Sequence, residues 1–148
     1  MKFGKIFHLG VVVRDLDAAL RIYEDELGYG PFERDNGAFF DDKMVNGEIG
    51  PGLPMRSAIY HAEDYEIELI EPTGPSIYMD YLQKNGPGVH HVVLKNDENY
   101  QDVLAMAERV SGRKPRLDVR FPNGTPIVFY ADLEEEAGLL LEIGPEPV

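Results

Sequence analysis

The stretch GVHHVVLK, residues 88–95, sets two histidines side by side at the head of an apolar run, in a chain with four histidines in all. β-Branched residues follow without a proline break, so the run reads as a strand. Neighbouring side chains on a strand point to opposite faces, so His90 and His91 are not expected to share one. One of them faces a site, and the other faces away or supports the fold.

Outward from this strand, Asp97 reads as a helix cap, and Tyr100, Val103, Leu104, Ala107 and Val110 fall on one helical face before Gly112. KPRLDVRF, TPIVFYAD and GLLLEIGP follow as strands around the turn signal PNG, so the C-terminal half reads βαβββ. The N-terminal half repeats this order. KIFHLGVVV is a strand, Asp15 caps a helix carrying Ala18, Ala19, Ile22, Tyr23 and Leu27 on one face, and Gly28 stops it. GAFFDD, MRSAIYH and YEIELIEP are then the expected strands. Between the halves, PTGPSIYMDYLQKNGPG is dense in Gly and Pro around a short helical stretch at 76–83, and reads as a linker. The expected organisation is α+β: a first βαβββ module over 1–72, a linker over 73–87 and a second module over 88–148, together one domain.

Laying one half over the other sets His8 of HLGVVVRD on His91 of HVVLKND, and Glu68 of IELIEP on Glu142 of LEIGPEP. Each half supplies one histidine at the head of its first strand and one glutamate near the end of its last. Modules paired about a pseudo-twofold axis bring such equivalent positions together, so two His and two Glu are expected to line one concave site. The repeat also separates the histidine pair: His91 is the expected ligand. Glu66, on the same strand face as Glu68, either faces solvent or flanks the site.

Composition narrows the chemistry. The chain has no cysteine, which removes disulfides, thiol nucleophiles and thiolate metal sites together. Fourteen Lys and Arg against 27 Asp and Glu give a net charge of −13, spread along the chain, so nucleic acid is not an expected partner. No run of 18 or more apolar residues exists, and MKFGKIFHLG has no long apolar core, so neither membrane insertion nor export is expected and a cytoplasmic location is the default.

Imidazole nitrogen and carboxylate oxygen are ligands shared by Zn, Ni, Co, Mn and Fe(II), so a His2Glu2 set suits one divalent ion per site. On an octahedral ion four protein ligands leave two positions free. Those fit a chelating enediolate or thioester enolate, whose developing charge the metal stabilises as a Lewis acid. The implied reaction is proton transfer at a carbon next to a carbonyl.

FHLGVVVRDLDAALRIYEDELGYG, IELIEPTGPS, GPGVHHVV and GLLLEIG closely resemble the vicinal oxygen chelate superfamily of glyoxalases, bleomycin resistance proteins and extradiol dioxygenases, in particular its methylmalonyl-CoA epimerase-like branch. The resemblance covers nearly the whole chain. It implies paired βαβββ modules in a cupped mixed sheet around a divalent metal held by His8, Glu68, His91 and Glu142. It further implies a small-molecule substrate, an acyl thioester or another carbonyl compound, and a homodimer. Glu142 is the expected base on one side of a metal-stabilised enolate. Glu48, in VNGEIGPG, is the candidate for the other. Lys2, Lys5, Lys43 and the 113–116 stretch are the cations available to coenzyme A phosphates. Arg56, Tyr60 and Tyr130 are the candidate substrate-binding residues, with alternation allowing either Tyr60 or His61, and either Tyr130 or Phe129, to face inward. The alternatives are a lactoylglutathione lyase-like isomerase or lyase on a smaller substrate, an Fe(II) extradiol dioxygenase, and a non-catalytic drug-sequestering protein. The full His/Glu set favours an enzyme, and the fourth ligand, Glu68, weighs against the dioxygenase.

Overall fold

β1 (Ile6–Val12) and β7 (Gly88–Leu94) run antiparallel down the middle of a single ten-stranded sheet in a computed structural model that describes residues 1–145. Beside β1 lies β6 (Glu66–Pro72), in parallel, then β5 (Met55–His61) and β2 (Glu33–Asp35). Beside β7 lies β10 (Leu139–Ile143), also in parallel, then β9 (Pro126–Leu133) and β8 (Leu117–Arg120). The parallel pairs flanking an antiparallel centre are what two like-folded halves joined edge to edge produce.

α1 (Leu16–Arg21) and α3 (Tyr100–Ser111) cover one face of this sheet, and α2 (Ile77–Asn85) closes the other. α1 starts where the Asp15 carboxylate accepts from Ala18 N at 3.0 Å, continues as a π turn over Ile22–Glu26, and stops before Gly28 at φ +77°. Its buried Leu16 and Leu20 pack on Ala58, Ile67 and Leu69. Each leucine contributes about 1.5–3 kcal/mol by leaving water. α3 packs Ala107 on Val92, Ala131 and Leu141 in the same way. On the other, concave face, Val12, Ile70, Leu117, Val119, Tyr130 and Leu140 form a shared core. It is closed by Tyr78 and Leu82 of α2, which Ser76 caps by accepting from Met79 N. The segment expected as a linker thus forms one wall of the cup. No helix among the described residues is long and apolar enough to cross a membrane.

Three local expectations are corrected. GAFFDD is not a strand: Asn36 Oδ1 accepts from Ala38 N, Gly37 takes φ +73°, and the chain turns through a short 3₁₀ segment at Ala38–Phe40. The Asn-Gly pair favours a turn more strongly than the aromatic pair favours a strand. The strand signal belongs to residues on either side, β2 and an additional hairpin, β3 (Met44–Val45) and β4 (Glu48–Ile49), which crosses over to pair with β8. The cap of α3 is Asn99, whose Oδ1 accepts from Gln101 N, and not Asp97. Finally, alternation fails at the histidine pair. His91 lies opposite Gly10 but Val89 lies opposite Val11, so His90 is the extra residue of a β-bulge. The equivalent strand is bulged at the equivalent place, with Phe7 extra between Ile6 and His8.

Candidate metal centre

Strand register decides which side chains meet. His8, Gly10 and Val12 share the concave face of β1, and Gly10 stands opposite Glu68 on one side and His91 on the other. His8, Glu68 and His91 therefore converge from three adjacent strands, their ligand atoms all within 4.8 Å of one another. The two imidazoles stack, with centroids 5.5 Å apart and planes 22° from parallel. Glu68 Oε1 sits between them, 3.3 Å from His8 Nε2 and 3.4 Å from His91 Nε2.

Both histidines are held from behind. His8 Nδ1 donates to Glu66 Oε1 at 2.9 Å, and the other oxygen of Glu66 meets His61 Nδ1 at 2.6 Å. Nδ1 of His91 faces Nδ1 of His90 at 3.1 Å. Tyr130 stacks on His91 with centroids 4.6 Å apart, and its hydroxyl bonds that of Tyr78 at 2.7 Å.

Burial by itself would lower the His8 pKa, yet the carboxylates of Glu68, Glu142 and Glu66 raise it to about 9. Burial would raise Glu68, yet the two histidines hold it at about 2. Glu142 lacks so close a cation, and burial pushes it up despite His91 and His8. Burial, reinforced by the charge of His91, lowers His90 to about 3. Tyr78 and Tyr130 are pushed far above the usual phenol range, chiefly by burial.

The donor set fits a divalent metal. Nε2 of His8 is buried and makes no hydrogen bond within the described chain, although a carboxylate oxygen lies 3.3 Å away. A cation among His8, Glu68 and His91 would satisfy the nitrogen, using ligand types that Zn, Ni, Co, Mn and Fe(II) accept.

Beside these ligands opens a cavity of about 70 Å³. Its polar wall holds Glu68, Glu142, Tyr78, Tyr130, Ser57 and Asp35, and its apolar wall includes Phe40, Leu53, Met55, Leu117 and Val128. Glu142 is carried there by β10, opposite Tyr130 in register, so it joins the cavity without belonging to the tight three-residue cluster. Of the inward and outward choices, Tyr130 faces in while Phe129 packs on Val103 and Ile143 beneath α3.

Three candidates lie elsewhere. Register pairs Arg56 with Glu71 and Tyr60 with Ile67, on the helix-covered face. Arg56 binds Asp17 and Glu71 there. Tyr60 packs among Tyr29, Phe32 and Tyr65, and it is His61 that turns toward Glu66 on the other face. Glu48 is exposed on the outermost strand β4 and does not line the cavity, because the Gly-rich connection folds into the added hairpin. The sequence reading did not single out Gly10, Asp35 or Tyr78, and it had His90 facing away or supporting the fold, where the structure sets its ring against that of His91. A glycine inside a strand signals close approach, and that cue was present at Gly10. Nothing local marked Asp35 or Tyr78.

Known structures share this arrangement of strands. Methylmalonyl-CoA epimerase from Streptomyces coelicolor, solved with 2-nitronate-propionyl-CoA, is 23% identical, with 97% of each chain covered and a TM-score of 0.63. The methylmalonyl-CoA epimerase of Mycobacterium tuberculosis is 21% identical over 97% of this chain and 87% of that one, TM-score 0.61. A hypothetical protein of Bacillus halodurans is 18% identical over 97% and 95%, TM-score 0.63. At these identities the likeness shows the fold. No curated protein sequence matches the chain. Residues 7–129 match the family described as Glyoxalase/Bleomycin resistance protein/Dioxygenase superfamily. With a ten-stranded α+β sheet built around its two central histidine strands, the chain belongs to the glyoxalase/bleomycin resistance protein/dioxygenase superfamily.

Proposed function

We propose that the protein is a metal-dependent enzyme that moves a proton at the carbon next to a carbonyl, an isomerase or epimerase in the manner of the methylmalonyl-CoA epimerases it resembles in fold. The observation that carries this is the convergence of His8 Nε2, Glu68 and His91 within 4.8 Å of one another, with the buried carboxyl of Glu142 in the adjoining cavity. His8, Glu68 and His91 would hold the ion, with Glu142 as the fourth ligand or as the base beside it. Once bound, a divalent ion supplies Lewis acidity that polarises a carbonyl and makes the neighbouring C–H more acidic.

The chain's own groups do the rest. Glu142, raised by burial, is a stronger base than an exposed carboxylate and is placed to take the proton. The Tyr78 and Tyr130 hydroxyls stay protonated, and since one of their two hydrogens lies in the bond between them, the pair has one O–H left to donate to a substrate oxygen. The apolar wall excludes water, which strengthens these contacts. Epimerisation also needs a carboxyl on a second side, and Asp35, on the cavity wall, takes the role expected of Glu48. A space of about 70 Å³ admits only the reacting end of a substrate, roughly two waters' volume. An acyl thioester would leave its carrier outside, and a smaller carbonyl compound would fit whole.

The test is exchange of a substrate's α proton into deuterated water across acyl thioesters, hemithioacetals and small keto acids, with metal added and with chelator. Glu142→Gln should abolish exchange, while Asp35→Asn should spare exchange and stop inversion. Exchange that survives both chelation and Glu142→Gln would overturn the reading.

A further inference from the structure

Resting on that metal reading, we propose that His90 is a positioning residue that sets the tautomer of His91: it accepts the His91 Nδ1 proton and so leaves the His91 Nε2 lone pair free toward Glu68. Two ring nitrogens facing each other at 3.1 Å share one proton, because two N–H groups would collide and two lone pairs would repel. A ligand nitrogen must be unprotonated, so a neutral His91 that binds metal through Nε2 carries its proton on Nδ1. Among the described residues, the group that meets that proton is His90 Nδ1.

The bulge is what permits this. On a regular strand His90 would project from the opposite face; as the extra residue between Val89 and His91 its ring swings to the same side. There it is gripped edge-on by Tyr81, Tyr78 and Tyr130, at centroid distances of 5.1, 5.2 and 5.7 Å. His8 is served differently, by the Glu66 carboxylate at 2.9 Å. The two ligands thus have unlike supports, an anion behind His8 and a neutral ring behind His91. With Glu66, Glu68 and Glu142 already close, a neutral acceptor orients His91 without adding a fourth negative charge.

The experiment measures Zn²⁺ affinity by competition with a chromogenic chelator for wild type, His90→Phe and His90→Asn, with circular dichroism melts to establish folding. Phenylalanine keeps the ring among the tyrosines but offers no acceptor; asparagine offers an oxygen near the position of Nδ1. Phe should weaken zinc binding about 10–100-fold, the usual effect of losing such a partner, and Asn should stay within about threefold. Equal affinity for folded His90→Phe and wild type overturns the inference and leaves the metal reading standing. Wild type that takes up no zinc overturns both. Should His90→Phe fail to fold, ¹⁵N spectra of zinc-loaded wild type decide: a protonated His91 Nδ1 coupled across the bond to His90 Nδ1 supports the assignment, and coordination of zinc through His91 Nδ1 overturns it.

Discussion

The imidazole of His91 occupies the space that a side chain on Gly10 would need: a β-carbon placed there would overlap its Cε1, Nε2 and Nδ1. These two residues face each other across the central strand pair, so the missing side chain on β1 is what lets His91 lie toward His8. Gly10→Ala should force the ring away, at a cost of about 1–3 kcal/mol for overpacking, and lower Zn²⁺ affinity more than about tenfold. Denaturant melts and metal competition measure this. In a His91→Ala background the same change should cost little, and an additive result would show that the ring is not what Gly10 accommodates.

Glu66 stands behind His8, the other proposed ligand. Its carboxylate bridges His8 Nδ1 and His61 Nδ1, in the arrangement by which second-sphere carboxylates fix the tautomer of a metal histidine. Glu66→Ala should weaken metal binding about 10–100-fold. His61→Ala should change it less than about threefold, because His61 is 48% exposed and touches only the far oxygen of the carboxylate. Isothermal titration calorimetry on both variants distinguishes them, and equal losses would mean that His61 is also required for alignment.

Much of this arrangement is legible in the sequence. The repeat in the sequence paired His8 with His91 and Glu68 with Glu142, and the ligand cluster and cavity bring all four to one face. Period-two alternation correctly left a choice between Tyr60 and His61, but it carries no information about which face the helices will cover. It also fails wherever a strand is bulged, and His90 shows the consequence: one extra residue returns a side chain to the face that alternation denied it. The misplacement of Glu48 has another origin. Its strand β4 pairs with β3, which in turn pairs with β8 from the other half of the chain, a long-range choice that no local pattern encodes. Asp35 escaped notice because β2 is three residues long, too short for any periodicity to appear.

Tyr78 and Tyr130 satisfy each other at 2.7 Å in a buried setting. The Tyr130 hydroxyl also lies 3.5 Å from His91 Nε2, so Tyr130→Phe, which strands the Tyr78 hydroxyl, should lose about 1–3 kcal/mol of unfolding free energy, and Tyr78→Phe less. The double variant should recover most of that loss, since both polar groups are gone together. Urea unfolding of the three variants closes the cycle; strict additivity would show that each hydroxyl has another partner.

Metal uptake should release a proton, and the direction follows from His8. Its pKa in the metal-free site is about 9, so at pH 7 it is protonated and must lose that proton before Nε2 can bind a cation. Glu68, held at about 2, is already ionised and releases none. Binding at pH 7 should therefore liberate about one proton, from His8. Apparent affinity should climb about tenfold per pH unit from 7 to 9 and level off above, because the competing proton is then gone. Calorimetry in buffers of different ionisation enthalpy counts the protons directly. Glu66→Gln removes one of the carboxylates that hold the His8 proton, so the break in the pH profile should move to lower pH. An affinity flat between pH 7 and 9 would mean that His8 is already neutral and that the proton competing for its lone pair does not exist.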